Sequence, residues 1–159
     1  VEHEGVYPLP QAQLDRFGMR LLIDYPAPEV EEGILTAHRA PVDEPTAILD
    51  PEEVVRCQTS ASAVTVSDEI VALIVRLSGR TRAHEGVVLG ASPRLGLDLL
   101  HLCRARALVE GRDHVIPDDV KALCGHAANH RILLSPRAEM SGVTSWQVID
   151  EALASTHLV

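Results

Sequence analysis

Lysine is almost absent from this sequence of 159 residues. Lys121 is the only one, and it follows a valine rather than a glycine. The phosphate-binding loop of many nucleotide hydrolases has the pattern G-x-x-x-x-G-K-[ST], in which the lysine contacts the terminal phosphates. Such a loop is therefore excluded. An apolar strand ending in Asp-Glu, of the kind that holds Mg²⁺ in these enzymes, is missing as well, so we expect no ATP hydrolysis by this chain alone.

Features of secreted and membrane proteins are also scarce. The cysteines, Cys57, Cys103 and Cys124, are odd in number and lack C-x-x-C spacing, which argues against a disulfide framework and favours a reducing environment. The longest apolar runs, such as 87–89 and 132–134, are far shorter than the ~20 residues of a membrane helix. The N-terminus shows no signal peptide and no initiating methionine. We therefore expect a cytoplasmic protein without a membrane span, and a chain cut from a longer one.

Positive charge is in short supply, since the formal net charge is −9. This balance disfavours nucleic-acid binding, because neutralising a phosphate backbone requires a surplus of lysine and arginine. Residues 76–112 are an exception, with seven arginines against three acidic residues. That band is basic enough to contact a phosphate group.

The composition changes near Pro26. Three of the four aromatic residues, Tyr7, Phe17 and Tyr25, precede it, and the pattern after it is helical. We place a boundary there. Before the boundary, the apolar run 19–23 predicts a short buried strand. A single strand needs a sheet, and nothing in the rest of the sequence supplies one, so we assign this strand to a domain that lies outside the chain.

Two capped helices are predicted in the first half of the helical region. Asp50 precedes a proline and is followed three residues later by Glu53, the pattern of a capping box, which predicts a helix to about residue 60. Ser67 begins the next helix. Its apolar residues recur at helical spacing and predict one core-facing side: Ile70, Leu73, Ile74 and Leu77.

Two further helices are predicted in the second half. Ser92 and a following proline begin a helix that should run to about residue 110, where Gly111 stops it. This helix is apolar over much of its circumference, as expected of a central helix. The last one should begin at Pro117 and end near Leu134.

A weak internal repeat links two of these helix starts. Residues 65–73 and 115–123 share a β-branched lead-in, acidic residues in the first turn and an apolar face. The acidic residues complement the helix dipole, so the repeat needs no functional explanation. We expect the short extended segments at 64–66 and 114–116 to pair with each other.

Cys124, His126 and His130 suggest a metal site, because histidines at positions i and i+4 share one helical face. A fourth ligand is not evident in the sequence. Ordinary surface and core side chains of a helix explain the spacing equally well, so no metal site is predicted.

Several separated motifs occur in the order found in one known family. Residues 4–17 read EGVYPLPQAQLDRF and are followed by Gly-Met-Arg and an apolar segment. Later come Gly-Ala-Ser-Pro-Arg at 90–94, Gly-Arg-Asp at 111–113 and Pro-Asp-Asp-Val at 117–120. This series closely resembles the MoxR family of AAA+ ATPases over nearly the whole chain. The resemblance implies that the phosphate-binding loop, the Mg²⁺ carboxylates and a polar sensor lie upstream of residue 1.

The resemblance also implies a fold. It is mainly α: an AAA+ helical lid bundle with a few very short strands over residues 27–159. Residues 1–26 would be the C-terminal end of an α/β AAA+ core, including its last strand. One position departs from the family, in which a hydroxyl residue often precedes the Pro-Asp-Asp-Val helix. This chain has Ile116 there, so the helix must be capped by another group.

Two arginines inherit roles from the resemblance. Arg16, in Leu-Asp-Arg-Phe, occupies the place of the arginine finger, which acts in trans on the ATP of a neighbouring subunit and stabilises charge on the transferred phosphoryl group. Arg94 occupies the sensor-2 place at the start of a lid helix, where it can approach the γ-phosphate. Without the resemblance, Asp15 and Arg16 are typical of a surface ion pair. A cation in the first turn of a helix, such as Arg94, is unfavourable unless it faces solvent or an anion.

For the full-length protein, the resemblance implies ATP and Mg²⁺ as cofactors and a homo-oligomeric ring, expected to be a hexamer. It also implies chaperone-like remodelling or maturation of protein complexes, with von Willebrand factor A-domain proteins and client proteins as partners.

Two alternatives remain. A magnesium-chelatase-like motor subunit has a related Leu-Asp-Arg-Phe-Gly-Met pattern, although Tyr-Pro-Leu-Pro at 7–10 favours MoxR. A stand-alone helical adaptor would have lost its motor and would only bind partner proteins. The coding sequence upstream of Val1 discriminates between motor and adaptor, because a phosphate-binding loop there supports the motor and a start codon there supports the adaptor.

Overall fold

The computed structural model describes residues 9–39 and 44–156 and is mainly α-helical, as predicted. Its elements follow one another as α1 (Gln11–Leu14), α2 (Pro28–Ala37), α3 (Pro51–Ala63), α4 (Asp68–Ala83), β1 (Val87–Leu89), α5 (Pro93–Val109), α6 (Pro117–Ala128), the 3₁₀ helix Asn129–Arg131, β2 (Leu133–Leu134), α7 (Pro136–Met140) and α8 (Ser145–Ala154). Within these ranges, no helix is long and apolar enough to cross a membrane.

Helices α4, α5, α6 and α8 pack around one apolar core and are referred to below as the bundle. The predicted inner face of α4 is buried, with Leu77 only 1% exposed. Helix α5 contributes a stripe at every fourth position, a spacing that returns to the same side of a helix. The buried residues of this stripe are Leu95, Leu99, Cys103 and Ala107. The apolar periodicity therefore determines which side of each helix faces inward.

The predicted helix starts are confirmed by their caps. At α3, the Asp50 side chain accepts a hydrogen bond from the Glu53 amide (2.6 Å), and the Glu53 carboxylate accepts one from the Asp50 amide (2.8 Å). At α4, the Ser67 hydroxyl accepts from the amide of Ile70. The end of α5 is also close to its predicted position, because Gly111 has a φ of 72°, a left-handed conformation that favours glycine.

The last predicted helix is shorter than expected. We predicted that it would continue to about Leu134, but α6 ends at Ala128 and is followed by the 3₁₀ turn. The apolar residues 132–134 lead instead into β2, which pairs antiparallel with β1, so that Val87 lies opposite Leu134. A run of three apolar residues does not distinguish strand from helix, and the pairing partner in β1 decides between them.

The expected pairing between the extended segments of the repeat is confirmed. Thr65 and His114 form an isolated parallel bridge. The Thr65 amide donates to the Asp113 carbonyl (2.8 Å), and the Val115 amide donates to the Thr65 carbonyl (3.0 Å). The bridge joins the starts of α4 and α6 and brings their first turns side by side.

Asp119 supplies the missing cap of α6. Its carboxylate accepts a hydrogen bond from the Ile116 amide (3.0 Å) and two from the Arg112 guanidinium (2.9 and 2.7 Å). Arg106 donates a further one at 3.2 Å. Burial acts to raise the pKa of Asp119, but the hydrogen bonds from Arg112 and Ile116 and the two arginine charges outweigh it, so the pKa lies below its usual value. The carboxylate therefore stays ionised while it is only 1% exposed.

The segment 19–23, predicted to be a strand of a sheet outside the chain, forms no strand in the described structure, and its side chains are not buried. Leu21, Leu22 and Ile23 are 64%, 62% and 92% exposed, and Tyr25 is 97% exposed. The physical reason is that no neighbouring strand in the described ranges offers backbone partners to this segment, and a single strand is not stable by itself. The acidic residues of α2 form an exposed first turn that begins at Pro28.

Candidate functional site

The first predicted site residue, Arg16, lies in the turn that directly follows the short helix α1. After Leu14 the chain turns tightly: the Arg16 amide donates to the Gln13 carbonyl (3.1 Å), and the Phe17 amide donates to the Leu14 carbonyl (3.1 Å). Arg16 in this turn is exposed. The turn thus presents a guanidinium group at the surface of the molecule. Residues 15–17 are called the finger turn below.

A buried arginine holds the finger turn against the bundle. The Arg131 side chain is 0% exposed. Its Nη2 donates to the carbonyls of Asp15 (3.0 Å) and Phe17 (2.7 Å), and its Nε lies 3.3 Å from the Asp15 carboxylate. The same Nη2 forms a close ion pair with Asp98 of α5. One guanidinium group therefore connects the finger turn to the central helix.

Three further hydrogen bonds secure the segment around the finger turn. His130 Nε2 donates to the Phe17 carbonyl (2.9 Å), and Gln11 Nε2 donates to the His130 carbonyl (2.9 Å). Beyond the turn, the Arg20 amide donates to the His126 carbonyl (2.9 Å). The groups that make these contacts lie near the end of α6 and in the 3₁₀ turn. The place where α6 ends therefore determines whether they can reach the finger turn.

His130 is neutral at physiological pH. Burial lowers its pKa, the hydrogen bond to Phe17 acts in the opposite direction, and the Arg131 charge lowers the pKa further. Among the other charged neighbours, Asp15 raises the pKa and Arg20 lowers it. In the neutral ring, the proton resides on Nε2, because that nitrogen faces a carbonyl oxygen.

The second predicted site residue lies at the start of α5. Ser92 caps this helix, and its hydroxyl accepts a hydrogen bond from the Arg94 amide (3.2 Å). The Arg94 side chain is exposed in the first helical turn. The positive end of the helix dipole and the guanidinium charge lie together, an arrangement that favours an anionic ligand.

The loop before α5 is pressed against α4. A Cβ atom placed on Gly90 would lie 2.6 Å from the Cα of Arg82. The next residue, Ala91, is buried, and its amide donates to the Thr81 hydroxyl (3.2 Å). The Gly-Ala-Ser-Pro-Arg motif therefore fixes the path of the chain into α5 against a neighbouring helix.

Asp15 links the surroundings of the two predicted arginines. The Ser92 hydroxyl donates to both oxygens of the Asp15 carboxylate (2.9 and 2.8 Å). The cap of the Arg94 helix is therefore bonded to the residue that directly precedes Arg16. Neither Arg16 nor Arg94 forms an ion pair with any residue in the described ranges, and both are exposed.

The simpler interpretation of Asp15 and Arg16 as an ion pair of neighbours is not supported, because the Asp15 carboxylate contacts Ser92 and Arg131 instead. Sequence reasoning also missed Arg131. The available signal was the polar pair His130 and Arg131 directly before an apolar run, but the predicted continuous helix placed it on an ordinary helical surface.

Cys124, His126 and His130 do not converge on one point. Cys124 is buried in the core, and burial raises the pKa of its thiol to about 12. The His126 ring contacts the Trp146 ring edge to face, with 5.5 Å between their centroids. His130 contacts the Phe17 carbonyl. Over residues 9–39 and 44–156, no group of three or more His, Cys, Asp or Glu side chains is arranged to hold a metal ion.

Comparison with known proteins identifies this arrangement. Residues 79–152 match the AAA lid domain family. The chain is 37% identical to Chaperone MoxR1 of Mycobacterium tuberculosis, over 99% of its own length and 44% of that protein. It is 35% identical to the uncharacterized protein YeaC of Bacillus subtilis, over 98% of its own length and 49% of that protein. Residues 79–152 thus belong to the AAA lid domain family, and the chain is similar to a MoxR chaperone over nearly its whole length.

A solved structure shares the fold. The chain superposes with a TM-score of 0.93 on the crystal structure of a candidate ATPase from Cytophaga hutchinsonii, with 29% sequence identity, covering 100% of the chain and 52% of that structure. The chain thus spans about half the length of these relatives. The predicted helical lid is confirmed, with Arg94 exposed at its surface, and Arg16 is exposed on the N-terminal segment.

Proposed function

We propose that the full-length protein hydrolyses ATP with Mg²⁺ in a homo-oligomeric ring, and that this chain supplies Arg16 and Arg94 to the nucleotide sites. The observation that carries the proposal is the arrangement of these two arginines. Both guanidinium groups are exposed, both are without an ion-pair partner in the described ranges, and the network of Asp15 and Ser92 lies between them.

The chemistry assigned to Arg16 is electrostatic. During phosphoryl transfer, negative charge is spread over the oxygens of the transferred group, and a guanidinium group from the next subunit stabilises it. An arginine finger must reach outside its own subunit, and the exposure of Arg16 on a tight turn fits this requirement. Its contribution would therefore appear only in an assembled ring.

The chemistry assigned to Arg94 is recognition of the terminal phosphate. The guanidinium fork can contact phosphate oxygens in pairs, and the amides at the start of α5 add partial positive charge. The chain has no phosphate-binding loop, so the nucleotide would be held mainly by the part of the protein that precedes it. Arg94 would register whether the γ-phosphate is present and would move the lid accordingly.

For the division of the chain, we propose that residues 1–26 complete an α/β ATPase core and that residues 27–159 form the lid. Leu21, Leu22, Ile23 and Tyr25 are exposed in the described structure, and apolar side chains grouped in this way are suited to burial against another domain. The segment 19–23 would then acquire the strand structure that it lacks here by pairing with the core sheet.

For biological activity, we propose chaperone-like remodelling or maturation of protein complexes in the cytoplasm. The relative named Chaperone MoxR1 supports this class of function. The ring, expected to be a hexamer, would act on client proteins together with von Willebrand factor A-domain proteins. Lid movements driven by hydrolysis would supply the rearrangement.

Mixed rings of the full-length protein test the finger. Subunits with Arg16→Ala keep an intact phosphate-binding loop, whereas subunits whose loop lysine is replaced keep Arg16. Rings made of only one variant should have a kcat at least about 100-fold lower than wild type, because every site then lacks either the finger or the loop lysine. Mixing them should restore part of the activity, because intact sites then adjoin intact fingers. Arg56→Ala, an exposed substitution on α3, is the control and should retain activity. Full activity of a ring made only of Arg16→Ala subunits would refute the finger.

A further inference from the structure

The Arg131 side chain is fully buried, and the polar contacts described above go to the finger turn and to α5, the two elements that carry the predicted site residues. They are the Asp15 carboxylate, the carbonyls of Asp15 and Phe17, and the Asp98 carboxylate on α5. Removing an arginine from water is unfavourable unless ionised partners and hydrogen bonds compensate. The buried charge of Arg131 is thus held beside the finger turn by polar partners.

The network continues from Asp15 to the start of α5. Its carboxylate is shared between Arg131 and the Ser92 hydroxyl. Ser92 in turn accepts from the Arg94 amide. A continuous path of ion pair and hydrogen bonds therefore runs from Arg131 through Asp15 and Ser92 to the backbone of Arg94, while Arg16 is covalently attached to Asp15.

We propose that Arg131 is a positioning residue that clamps the finger turn to the lid and thereby couples Arg16 to Arg94. The proposal rests on the roles proposed above for these two arginines. Because the clamp joins the finger turn, at the end of the core, to the start of α5 in the lid, a lid displacement sensed at Arg94 shifts the position of Arg16. The phosphate state at one nucleotide site would in this way set the finger position at another.

The clamp requires arginine. The guanidinium group uses two of its nitrogens: Nη2 contacts the carbonyls of Asp15 and Phe17 and the Asp98 carboxylate, while Nε lies 3.3 Å from the Asp15 carboxylate. A lysine ammonium keeps the charge, but its single nitrogen cannot occupy both positions. Arg131→Lys should therefore loosen the finger turn without leaving a cavity as large as that of an alanine substitution.

A double-mutant cycle in the full-length ring tests the coupling. The variants are Arg131→Lys, Arg16→Ala and the double variant, with kcat and KM for ATP measured for each. We expect Arg131→Lys to lower kcat about 10-fold or more, because small displacements of a catalytic group are costly, with KM changed less than about 2-fold. In the Arg16→Ala background, Arg131→Lys should lower kcat no further, because its effect passes through Arg16. Independent, multiplying losses would overturn the proposal.

Arg112→Lys is the matched control for a weakened lid. Arg112 also pairs with a buried carboxylate, that of Asp119, but makes no contact with the finger turn. It should leave kcat within about 2-fold of wild type even if the lid melts at a lower temperature. An equal loss of kcat in Arg112→Lys and Arg131→Lys would show that general lid stability is responsible, which also overturns the proposal.

Ser92→Ala provides a second route if Arg131→Lys does not assemble. It removes the contact with Asp15 together with a helix cap, and Ser67→Ala removes a comparable cap on α4 that has no contact with the finger turn. Only Ser92→Ala should lower kcat, and only while Arg16 is present; equal kcat in both serine variants would contradict the clamp.

Failure of the proposed arginine finger can be distinguished from failure of the clamp, since Arg16→Ala would then leave kcat unchanged. A loss for Arg16→Ala with none for Arg131→Lys or Ser92→Ala refutes the clamp alone.

Discussion

The bundle and the N-terminal segment 9–27 are held by different forces. The bundle is closed by apolar side chains such as Leu77, Leu95 and Leu99, which are at most 1% exposed. The N-terminal segment has no buried residue in α1 and is attached through polar contacts to Arg131, His130 and the His126 carbonyl. Apolar burial is non-directional and stabilises several similar arrangements, whereas hydrogen bonds and ion pairs fix one geometry. The bundle thus supplies stability, and the polar attachment supplies orientation.

The largest effect is expected from opening the bundle core. Leu99→Ala removes a side chain that is 0% exposed in the middle of α5 and should lower the free energy of unfolding by about 2–5 kcal/mol. Hydrogen exchange of the α5 amides in the full-length protein measures this change. The amides of the N-terminal segment should lose protection too, because their docking surface is lost with the bundle.

Leu97→Ala is the control for this substitution, since Leu97 lies on the same helix and is 60% exposed. It should change the free energy of unfolding by no more than about 0.5 kcal/mol. Equal losses at positions 97 and 99 would contradict the division of α5 into an inner and an outer side.

A smaller and more local effect is expected from Asp15→Asn. The substitution removes the charge that faces Arg131 and Ser92, so the N-terminal segment should detach more often while the bundle stays intact. Protection of the Arg20 amide, which donates to the His126 carbonyl, should fall by about 10-fold, the loss expected of a hydrogen bond to a charged group.

Asp24→Asn removes a charge from the same segment at an exposed position and should leave the Arg20 amide unchanged. The α5 amides should be unaffected in both variants. If Asp15→Asn lowered the protection of the α5 amides as much as that of the Arg20 amide, the N-terminal segment and the bundle would not open independently of each other.

The smallest effect is a difference in acid sensitivity between the two regions. The pKa of His130 lies below its usual 6.5 in the folded chain, so an opened form that exposes this ring to water binds more protons as the pH falls below 6.5. The contribution of the neutral ring to the folded state is therefore fully present above pH 6.5 and decreases below it. The pKa of Asp119 lies below its usual 3.8, so its contribution to the bundle is present above pH 3.8 and is lost only at lower pH.

Hydrogen exchange corrected for intrinsic rates, measured at several pH values, should thus show the Arg20 amide losing protection before the α5 amides. In His130→Gln, a side chain that can still donate to the Phe17 carbonyl but does not titrate, the first loss should disappear. Persistence of that loss in the glutamine variant would assign it to a different group.

The sequence was sufficient to predict the bundle because its signals are local. Asp50, Ser67 and Ser92 cap helices within three residues of themselves, and the inner face of α4 follows from periodicity. Even the bridge of Thr65 with His114 could be predicted, since the segments that lead into α4 and α6 repeat one pattern. The places of Arg16 and Arg94 were predicted from the family resemblance, and their roles stay predictions.

The clamp could not be predicted in the same way. Asp15 and Arg131 are separated by more than a hundred residues, and no local rule pairs one aspartate with one particular arginine among the many in the chain. The error at the end of α6 concealed the contact further, because a helix continued to Leu134 would orient Arg131 differently. The segment 19–23 lacks strand structure for a related reason: strand formation depends on a partner, and the described residues offer none.

The close approach of Gly90 to Arg82 has a consequence for how the lid responds to change. A side chain of any size at position 90 would push the start of α5 off the far half of α4, and Ser92 and Arg94 would be displaced with it. Helix α4 therefore determines where the start of α5 lies. Substitutions on this side of α4 would shift Ser92 and Arg94 even though they contact neither residue.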